Sequence, residues 1–309
     1  MKMTIMDRLK KLLGVGKEPR DVALVLSSGG ARGLAHIGAI EELESRGYHI
    51  CSVTGSSMGA LVGGMYAAGR LTEFKEWLLT VNKRKMLSLT DFSLSLNHLV
   101  KGKKIIEALQ EIVPDVMIED LPIPYCAVAT DWENSRVVEF RSGSLYEAIR
   151  ASISIPLFFD PVRNDGRLLV DGGVLNPLPL KQGKVMPGSL LVGVNVNGYE
   201  WGGKTELKKL YDGHRKRRRS FAIKVLERLF PESVDLNYVT IGIRMYLLML
   251  QQNAANSILL HKPDIVVNVP MNRFGGFDYD KVEKISRLGR SKMRKALDGH
   301  EGRTEKRIR

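Results

Sequence analysis

The chain has 309 residues, of which 44% are hydrophobic and 26% are charged, so it is long enough to bury a substantial core and does not belong to the disordered class. Its 47 Lys and Arg residues outnumber its 34 Asp and Glu residues, and the formal net charge of +13 favours anionic partners such as acidic lipid headgroups or nucleic acid. The two cysteines, Cys51 and Cys126, lie in apolar stretches and argue against a disulfide framework. These properties favour one large α/β domain.

Residues 1–20 carry a short amphipathic pattern, with Ile5, Leu9 and Leu12 on one helical face and basic side chains elsewhere. The segment has neither the continuous apolar core nor the small-residue cleavage site of a secretory signal, so we expect a cytoplasmic protein. A short amphipathic helix of this kind either packs on its own domain or, together with the basic segments, makes reversible peripheral contact with anionic lipid at the inner face of the membrane. The apolar run Met245–Leu250 is far shorter than the about 20 residues that a membrane span needs.

Two successive β-loop-α units open the main part of the chain. Val22–Leu26 is apolar and predicts a buried strand, and Leu34–Arg46, behind a glycine-rich turn, has helical spacing. The strand Ile50–Thr54 and a small-residue helix at Met58–Ala68 repeat the arrangement. Consecutive units of this kind predict a parallel sheet covered by helices. Further strands are predicted at Pro124–Thr130, Arg136–Phe140, Leu168–Val170, Ser189–Val196 and Asp264–Val269, and further helices at Leu71–Val81, Lys103–Ile112 and Asp280–Ala296.

The order of these elements suggests four segments along the chain. Residues 1–20 form the basic amphipathic segment, and residues 21–200 form the main α/β core. Residues 201–232 contain the basic run Arg215–Arg219 and are predicted as an exposed loop or a solvated helix. Residues 233–309 are predicted to add helices and a strand that pack on the core.

A candidate nucleophile stands between the second strand and its helix. The segment Gly55–Gly59 reads Gly-Ser-Ser-Met-Gly and matches G-x-S-x-G, in which flanking glycines permit a sharp turn that presents the serine. The nucleophile would be Ser57, and the N-terminus of the following helix would favour developing negative charge. A short pattern of this kind also occurs in ordinary turns, but its position between a strand and a helix favours the catalytic interpretation.

A glycine-rich loop, Ser27–Gly33, follows the first strand. Positions without side chains allow backbone N–H groups to point together at an anion, so the loop is a candidate oxyanion hole. Its glycines stand at positions 29, 30 and 33, so the G-x-G-x-x-G pattern of a dinucleotide site is absent. A tight turn without a ligand is the remaining alternative for the loop considered alone.

An acidic residue follows another predicted strand. Asp171 precedes Gly172 and Gly173 and comes directly after the apolar run Leu168–Val170. The carboxyl ends of strands are where sites gather in open α/β sheets, although Asp-Gly-Gly is also a common turn sequence. Because Ser57 and Asp171 both follow predicted strands, we expect a parallel sheet to bring them together.

Together with Ala151–Pro156, which reads Ala-Ser-Ile-Ser-Ile-Pro, these segments resemble the patatin-like phospholipase family. The glycine loop, the G-x-S-x-G turn, the Ser-x-Ser-Ile-Pro run and the Asp-Gly-Gly turn with Asn176 and Pro179 behind it stand in the family's order over about residues 21–180. One position departs from the pattern, because Ser28 replaces the first glycine of the usual Gly-Gly-Gly-x-Arg-Gly loop. The resemblance implies an α/β protein with a three-layer α/β/α fold and a mostly parallel central sheet.

The resemblance also implies the roles of individual residues. Ser57 is the implied nucleophile and Asp171 the proton acceptor of a Ser-Asp dyad, and the implied oxyanion loop comprises Gly29, Gly30, Ala31, Arg32 and Gly33. The implied activity is hydrolysis of lipid acyl esters, of the phospholipase A or lysophospholipase kind, through an acyl-enzyme. Such chemistry needs no metal or organic cofactor, and the sequence offers no His/Cys/Asp cluster at ligand spacing, so we expect none.

Alternatives to this function stay open. The same serine would also serve an acyltransferase or a thioesterase. A membrane- or nucleic-acid-binding protein without catalysis would use the basic run Arg215–Arg219. Aromatic side chains that stack on bases are sparse there, with only Tyr211 and Phe221 beside the run, so we expect no nucleic acid. The oligomeric state is not indicated by any of these patterns.

Two questions about the site also stay open. A histidine, His36, His214 or His261, would complete a Ser-His-Asp triad in place of the dyad, although none stands in a recognisable motif. Arg32 would contact a lipid phosphate or would brace the glycine loop through a carbonyl or carboxylate.

Overall fold

The computed structural model describes residues 21–81, 102–156, 158–199 and 238–308. In this part of the chain the strands form one eight-stranded sheet with parallel and antiparallel pairs. The strands are β1 (Asp21–Leu26), β2 (His49–Ser56), β3 (Tyr125–Asp131), β4 (Arg136–Phe140), β5 (Val162–Asn164), β6 (Arg167–Asp171), β7 (Leu190–Gly198) and β8 (Ile265–Pro270).

The helices of the described residues follow the strands in alternation over the first part of the chain. They are α1 (Ala35–Ser45), α2 (Met58–Ala67), α3 (Leu71–Thr80), α4 (Lys103–Gln110), α5 (Leu145–Ser152), α6 (Tyr238–His261) and α7 (Val282–Ile308). Short 3-10 turns follow β1 at Gly30–Leu34 and β6 at Gly172–Val174. The predicted N-terminal helix and the basic segment 201–232 lie outside the described residues, and the division into four segments stays a prediction.

The centre of the sheet is parallel. β1 pairs with β2 on one side and with β7 on the other, β2 continues to β3, and β7 continues to β8, all in parallel. β4 and β6 both run antiparallel to β3, and β5 is antiparallel to β6. The mostly parallel sheet of the sequence-based prediction is therefore confirmed, with an antiparallel border beyond β3.

Alternate residues of β1 face two different cores. Leu24 and Leu26 join the large cluster that includes side chains of α1, α2 and α7, whereas Val25 packs with Leu178 and with Ala254 of α6. Successive side chains of a strand point to opposite faces, so these clusters cover both faces of the sheet. This arrangement confirms the three-layer α/β/α fold.

The direction and placement of β6 differ from the expectation for Asp171. Val128 of β3 pairs with Ser56 on one edge and with Glu139 of β4 on the other. The next residue, Ala129, pairs with Asp171 on one edge and with β4 on the other. Because β4 occupies the same edge throughout, β2 and β6 share the opposite edge and meet end to end. The expectation that a parallel sheet brings Ser57 and Asp171 together is therefore corrected in one respect, because β6 is antiparallel to β3 and its carboxyl end meets that of β2.

Three elements were not given bounds in the prediction, and α7 has the largest difference in length. The helix α5, the strand β5 and the 24-residue helix α6 were absent from the predicted elements, and α7 continues to Ile308 instead of ending at Ala296. Asp280, the predicted start of α7, lies in a 3-10 turn before the helix. Within the described residues, no helix is both long and apolar enough to cross a membrane.

Candidate active site

Ser57 occupies a sharp turn between β2 and α2. Its φ of 54° and ψ of −123° are a sparsely populated conformation for a residue with a side chain. The flanking glycines permit the approach of the backbone segments, because a Cβ on Gly55 would lie 2.3 Å from the Gly59 carbonyl and one on Gly59 would lie 2.3 Å from the Leu26 carbonyl oxygen. The predicted elbow glycines are therefore positions where the packing excludes a side chain.

The structure brings Ser57 and Asp171 together. The Ser57 hydroxyl donates to Oδ2 of Asp171 at 2.5 Å, and both side chains are buried. Ser57 is also the residue that precedes α2, so the positive end of the helix dipole lies beside its oxygen. The two residues predicted as nucleophile and proton acceptor thus lie within hydrogen-bond distance, although they are far apart in the sequence.

The Asp171 carboxylate has a hydrogen bond at each oxygen. Oδ1 accepts from the backbone N–H of Gly173 at 2.6 Å, while Oδ2 accepts from Ser57. Burial raises the pKa of the carboxyl from its ordinary value of 3.8 to about 7, although the hydrogen bonds from Ser57 and Gly173 oppose the rise. A carboxylate with this pKa is a much better base for a serine hydroxyl than an ordinary, exposed aspartate.

The glycine loop packs against the elbow and against a second loop. A Cβ on Gly33 would lie 2.3 Å from Cγ of Met58, the first residue of α2. Gly30 has a φ of 56°, and the N–H of Ala31 donates to the Gly276 carbonyl at 2.8 Å. Among the described residues, the N–H groups of Gly29 and Gly30 have no acceptor, so both are available to a bound group.

Arg32 braces the loop from inside. Its side chain is buried, and its Nε donates to the carbonyl oxygen of Gly29 at 2.9 Å. Of the two roles that the sequence left open, this contact supports bracing. The carbonyl of Gly29 is thereby turned toward the guanidinium, which fixes the orientation of the following peptide unit.

Ser28, the departure from the family's loop pattern, fits without strain. Its N–H donates to the Pro177 carbonyl at 2.8 Å, and its own carbonyl accepts from the Asn197 side chain at 2.8 Å. Ser28 is not among the described non-glycine residues with positive φ. Glycine's conformational freedom is therefore not needed at this position.

The histidines occupy other places. His36 is fully buried, and its Nε2 lies 2.8 Å from the Ser27 carbonyl oxygen. Burial lowers the pKa of His36 from 6.5 to about 4, so the ring is neutral near pH 7 and its Nε2–H donates to that carbonyl. His261 is the exposed last residue of α6, and His214 lies outside the described residues. Within the described chain, neither Ser57 nor Asp171 hydrogen-bonds to a histidine.

Sequence reasoning did not identify two tyrosines near the dyad. Burial raises the pKa of Tyr279 to about 12 and that of Tyr246 well above its usual range, and the charge of Asp171 adds to both shifts. Both phenols therefore stay protonated at neutral pH. They come from α6 and from the turn before α7, far along the chain, and no local pattern marks them.

The described residues contain no group of three His, Cys, Asp or Glu side chains that would hold a metal ion. The site that they do form consists of a strained serine, a buried carboxylate and a loop with free N–H donors. This set of groups is suited to acyl transfer, which needs a nucleophile, a base and stabilisation of an oxyanion.

Comparison with known proteins is consistent with this chemistry. A family model described as patatin-like phospholipase matches residues 24–183, just over half of the 309 residues. An uncharacterised NTE family protein of Mycobacterium tuberculosis is 50% identical over 187 residues, which cover 60% of this chain and 52% of that protein. Patatin-like phospholipase domain-containing protein 6 of Homo sapiens is 31% identical over 186 residues, covering 58% of this chain and 14% of that protein.

Among solved structures, VipD from Legionella pneumophila aligns with a TM-score of 0.45 and 15% identity, covering 92% of this chain and 67% of that chain. The region shared with the mycobacterial relative spans about half of that relative's length. The match of the family model extends from β1 through the turn that carries Asp171. The chain belongs to the patatin-like phospholipase family.

Proposed function

We propose that this protein is a serine hydrolase of lipid acyl esters that works through a Ser57–Asp171 dyad. The observation that carries the proposal is the 2.5 Å hydrogen bond from the Ser57 hydroxyl to the buried Asp171 carboxylate, at the start of α2 and beside the glycine loop. Membership of the patatin-like phospholipase family supports a lipid hydrolase. The phospholipase A or lysophospholipase activity is the specific form proposed here.

In the first step Ser57 Oγ attacks the ester carbonyl carbon while Asp171 takes the hydroxyl proton. The oxyanion that forms is stabilised by the N–H groups of Gly29 and Gly30 and by the N-terminus of α2. Collapse of this intermediate breaks the bond to the alcohol, which leaves with the proton from Asp171. Water then attacks the acyl-enzyme, with Asp171 again as base, and releases the acid and the free serine.

The loop carries a substantial part of this catalysis. Loss of one oxyanion donor costs about 2.7–4 kcal/mol of transition-state stabilisation in a characterised hydrolase. The contact of Arg32 with Gly29 and the packing of Gly33 on Met58 hold the loop against the elbow, which keeps its donors in place. No cofactor or metal ion has a part in this scheme.

Phospholipids, lysophospholipids and neutral glycerides are the proposed substrates. An acyltransferase or a thioesterase differs only in the acceptor or leaving group, and would be revealed by acyl transfer to an added alcohol or by faster turnover of thioesters. The net charge of +13 supports peripheral contact with anionic membranes. Co-sedimentation with acidic and neutral vesicles tests that contact, and equal binding to both would contradict it.

The proposal is tested by labelling with a serine-reactive fluorophosphonate, followed by a panel of lipid esters. We expect wild type to be labelled and to hydrolyse members of the panel, and Ser57→Ala to do neither. Labelling that persists in folded Ser57→Ala would refute the assigned nucleophile. Tight binding of duplex or single-stranded nucleic acid at physiological salt, without ester hydrolysis, would favour the binding-protein alternative.

A further inference from the structure

The run Ala151–Pro156 has no role in the scheme above, yet its first serine contacts the elbow. Ser152 is the last residue of α5 and is fully buried. Its Oγ accepts from the backbone N–H of Ser57 at 2.8 Å and donates to the carbonyl oxygen of Val128 in β3 at 2.7 Å. One hydroxyl therefore bridges the nucleophile's backbone to the strand beside it.

The second serine of the run holds the other half of the dyad through its backbone. The carbonyl oxygen of Ser154 accepts from the N–H of Asp171 at 2.8 Å. Ser154 is itself fixed, because Arg150 donates to its Oγ at 2.6 Å and the Oγ donates to the Arg150 carbonyl at 2.8 Å. Residues 152–154, called the clamp segment below, thus bind the backbone N–H of both Ser57 and Asp171.

Such a segment is needed because of how the strands meet. β2 ends at Ser56 and β6 ends at Asp171, both on the same edge of β3 and end to end, so no ladder hydrogen bonds join one strand to the other. Ser57 also holds a conformation that costs about 1–3 kcal/mol and persists only where its surroundings fix it. The hydrogen bond from its N–H to Ser152 is a contact that does so.

We propose that Ser152 is a positioning residue, whose hydroxyl holds the Ser57 peptide in the orientation that aims Oγ at Asp171 and at the substrate. The clamp segment binds the backbone of both Ser57 and Asp171, so one short stretch of chain sets the distance between the Ser57 hydroxyl and the Asp171 carboxylate. This inference rests on the proposed Ser-Asp hydrolase function and assigns the Ser-x-Ser run a part in it.

The test compares Ser152→Ala with wild type on a water-soluble aryl ester. A small error in the position of a catalytic group lowers rates by up to about a hundred-fold, so we expect kcat and the rate of fluorophosphonate labelling to fall about ten- to a hundred-fold while KM stays within about three-fold. The apparent pKa of the pH–rate profile should stay unchanged, because the backbone contact of Asp171 with Ser154 is retained. A purely structural defect would not lower kcat and the labelling rate while leaving KM and the apparent pKa unchanged.

Ser52→Ala is the matched control. Ser52 is a buried serine of β2 whose hydroxyl also donates to a backbone carbonyl, that of Lys184, at 2.7 Å, but it does not contact the dyad. Both variants lose a buried hydroxyl, but Ser152 makes two hydrogen bonds and Ser52 makes one, so a loss of thermal stability is expected in both and the larger loss in Ser152→Ala, with labelling slowed in Ser152→Ala alone. Equal slowing in the two variants, or wild-type labelling in folded Ser152→Ala, would overturn the proposal.

Ser152→Cys replaces Ser152→Ala as the test variant if the alanine variant does not fold. The thiol keeps the side chain's place but is a weaker donor and acceptor, so we expect the folded cysteine variant to be labelled more slowly than wild type. Wild-type labelling of the cysteine variant would also contradict the proposal. Activity that persists in Ser57→Ala would instead show that the proposed function is wrong, which separates the two failures.

Discussion

The two halves of the site are prepared by different physical means. At the end of β2, Ser57 is held at a φ of 54°, so this half stores backbone strain. At the end of β6, Asp171 has an ordinary φ of −45°, but its carboxylate is fully buried and its pKa is raised to about 7, so this half stores an electrostatic penalty. We therefore expect the elbow to respond to changes in packing and the Asp171 turn to respond to pH.

The largest expected effect comes from removing either member of the dyad. Because Ser57 and Asp171 act as one unit, loss of one also removes the catalytic contribution of the other. Ser57→Ala and Asp171→Asn should each lower kcat for ester hydrolysis by about a thousand-fold or more, and the double variant should lose little beyond either single change. Circular dichroism must show that each variant is folded. A near-wild-type rate in Asp171→Asn would refute the dyad.

Histidine variants are the control for that experiment. His214→Ala and His261→Ala should keep wild-type turnover, and His36→Gln should keep most of it, because the glutamine amide can still donate to the Ser27 carbonyl. If any one of these folded variants lost all turnover, a Ser-His-Asp triad would replace the dyad.

A packing change should damage the elbow more than any shift in pH. In Gly59→Ala the new Cβ would meet the Leu26 carbonyl oxygen at 2.3 Å, so the turn must shift, and we expect a loss of about 3 kcal/mol in the free energy of unfolding. Gly299→Ala in α7 is the matched control, since nothing lies within 4 Å of its Cβ. That variant should be neutral or stabilised by up to about 1 kcal/mol. Urea denaturation that gives equal stabilities for the two variants would contradict the close approach at Gly59.

The electrostatic penalty at Asp171 should be visible as a dependence of stability on pH. The folded-state pKa is raised from 3.8 to about 7, so the native state binds this proton more tightly than the unfolded state, and stability is lost progressively as pH rises from about 4, with the loss complete above about pH 7. Asp171→Asn removes the penalty. At pH 8 the variant should therefore exceed wild type in the free energy of unfolding by at most about 4 kcal/mol, and the gap should close below about pH 4.

Asp131 is a control because its pKa is shifted in the opposite direction from that of Asp171. Hydrogen bonds from the Asn134 side chain and backbone, and contact with Arg136, lower the pKa of the Asp131 carboxyl despite some desolvation. Its contribution to stability is present at neutral pH and is lost as pH falls through the lowered pKa. Asp131→Asn should therefore be less stable than wild type at pH 7. If the free energy of unfolding, relative to wild type, changed with pH in the same way in the two Asp→Asn variants, burial would not be the dominant influence on the pKa of Asp171.

The smallest effect concerns the rate alone. Since Asp171 must be ionised to accept the proton, kcat/KM for an uncharged soluble ester should rise about tenfold per pH unit below about pH 7 and level off above it. Asp131→Asn should keep this profile. A flat profile down to pH 5 would show that the base ionises normally, and the proposed contrast between the two strand ends would fail.

Much of this architecture follows from local sequence patterns. The predicted helix at Met58–Ala68 begins at the first residue of α2, and the predicted strand Arg136–Phe140 has the bounds of β4. These elements are readable because apolar runs, small-residue helices and glycine turns act over a few residues. The elbow and the glycine loop are local in the same sense, which is why their residues could be named in advance.

The helix α5 shows a signal that was present but not used. Ser144 caps this helix by accepting from the N–H of Glu147, and the Ser-x-x-Glu spacing is the sequence signature of a helix start. Finding α5 would have placed Ser152 at its end, directly before the turn whose Ser154 carbonyl accepts from the N–H of Asp171. No such local signal exists for Tyr246 or Tyr279, whose approach to Asp171 depends on how α6 and the turn before α7 pack.

The amino-acid sequence by itself determined the β-α units, the strained serine turn and the glycine loop, because each depends on neighbouring residues. Only the tertiary structure decided that β6 runs antiparallel to β3 and meets β2 end to end, since the choice of a hydrogen-bonding edge depends on strands far apart in the chain. The same is true of the pKa of Asp171, which is raised by burial that the assembled fold imposes.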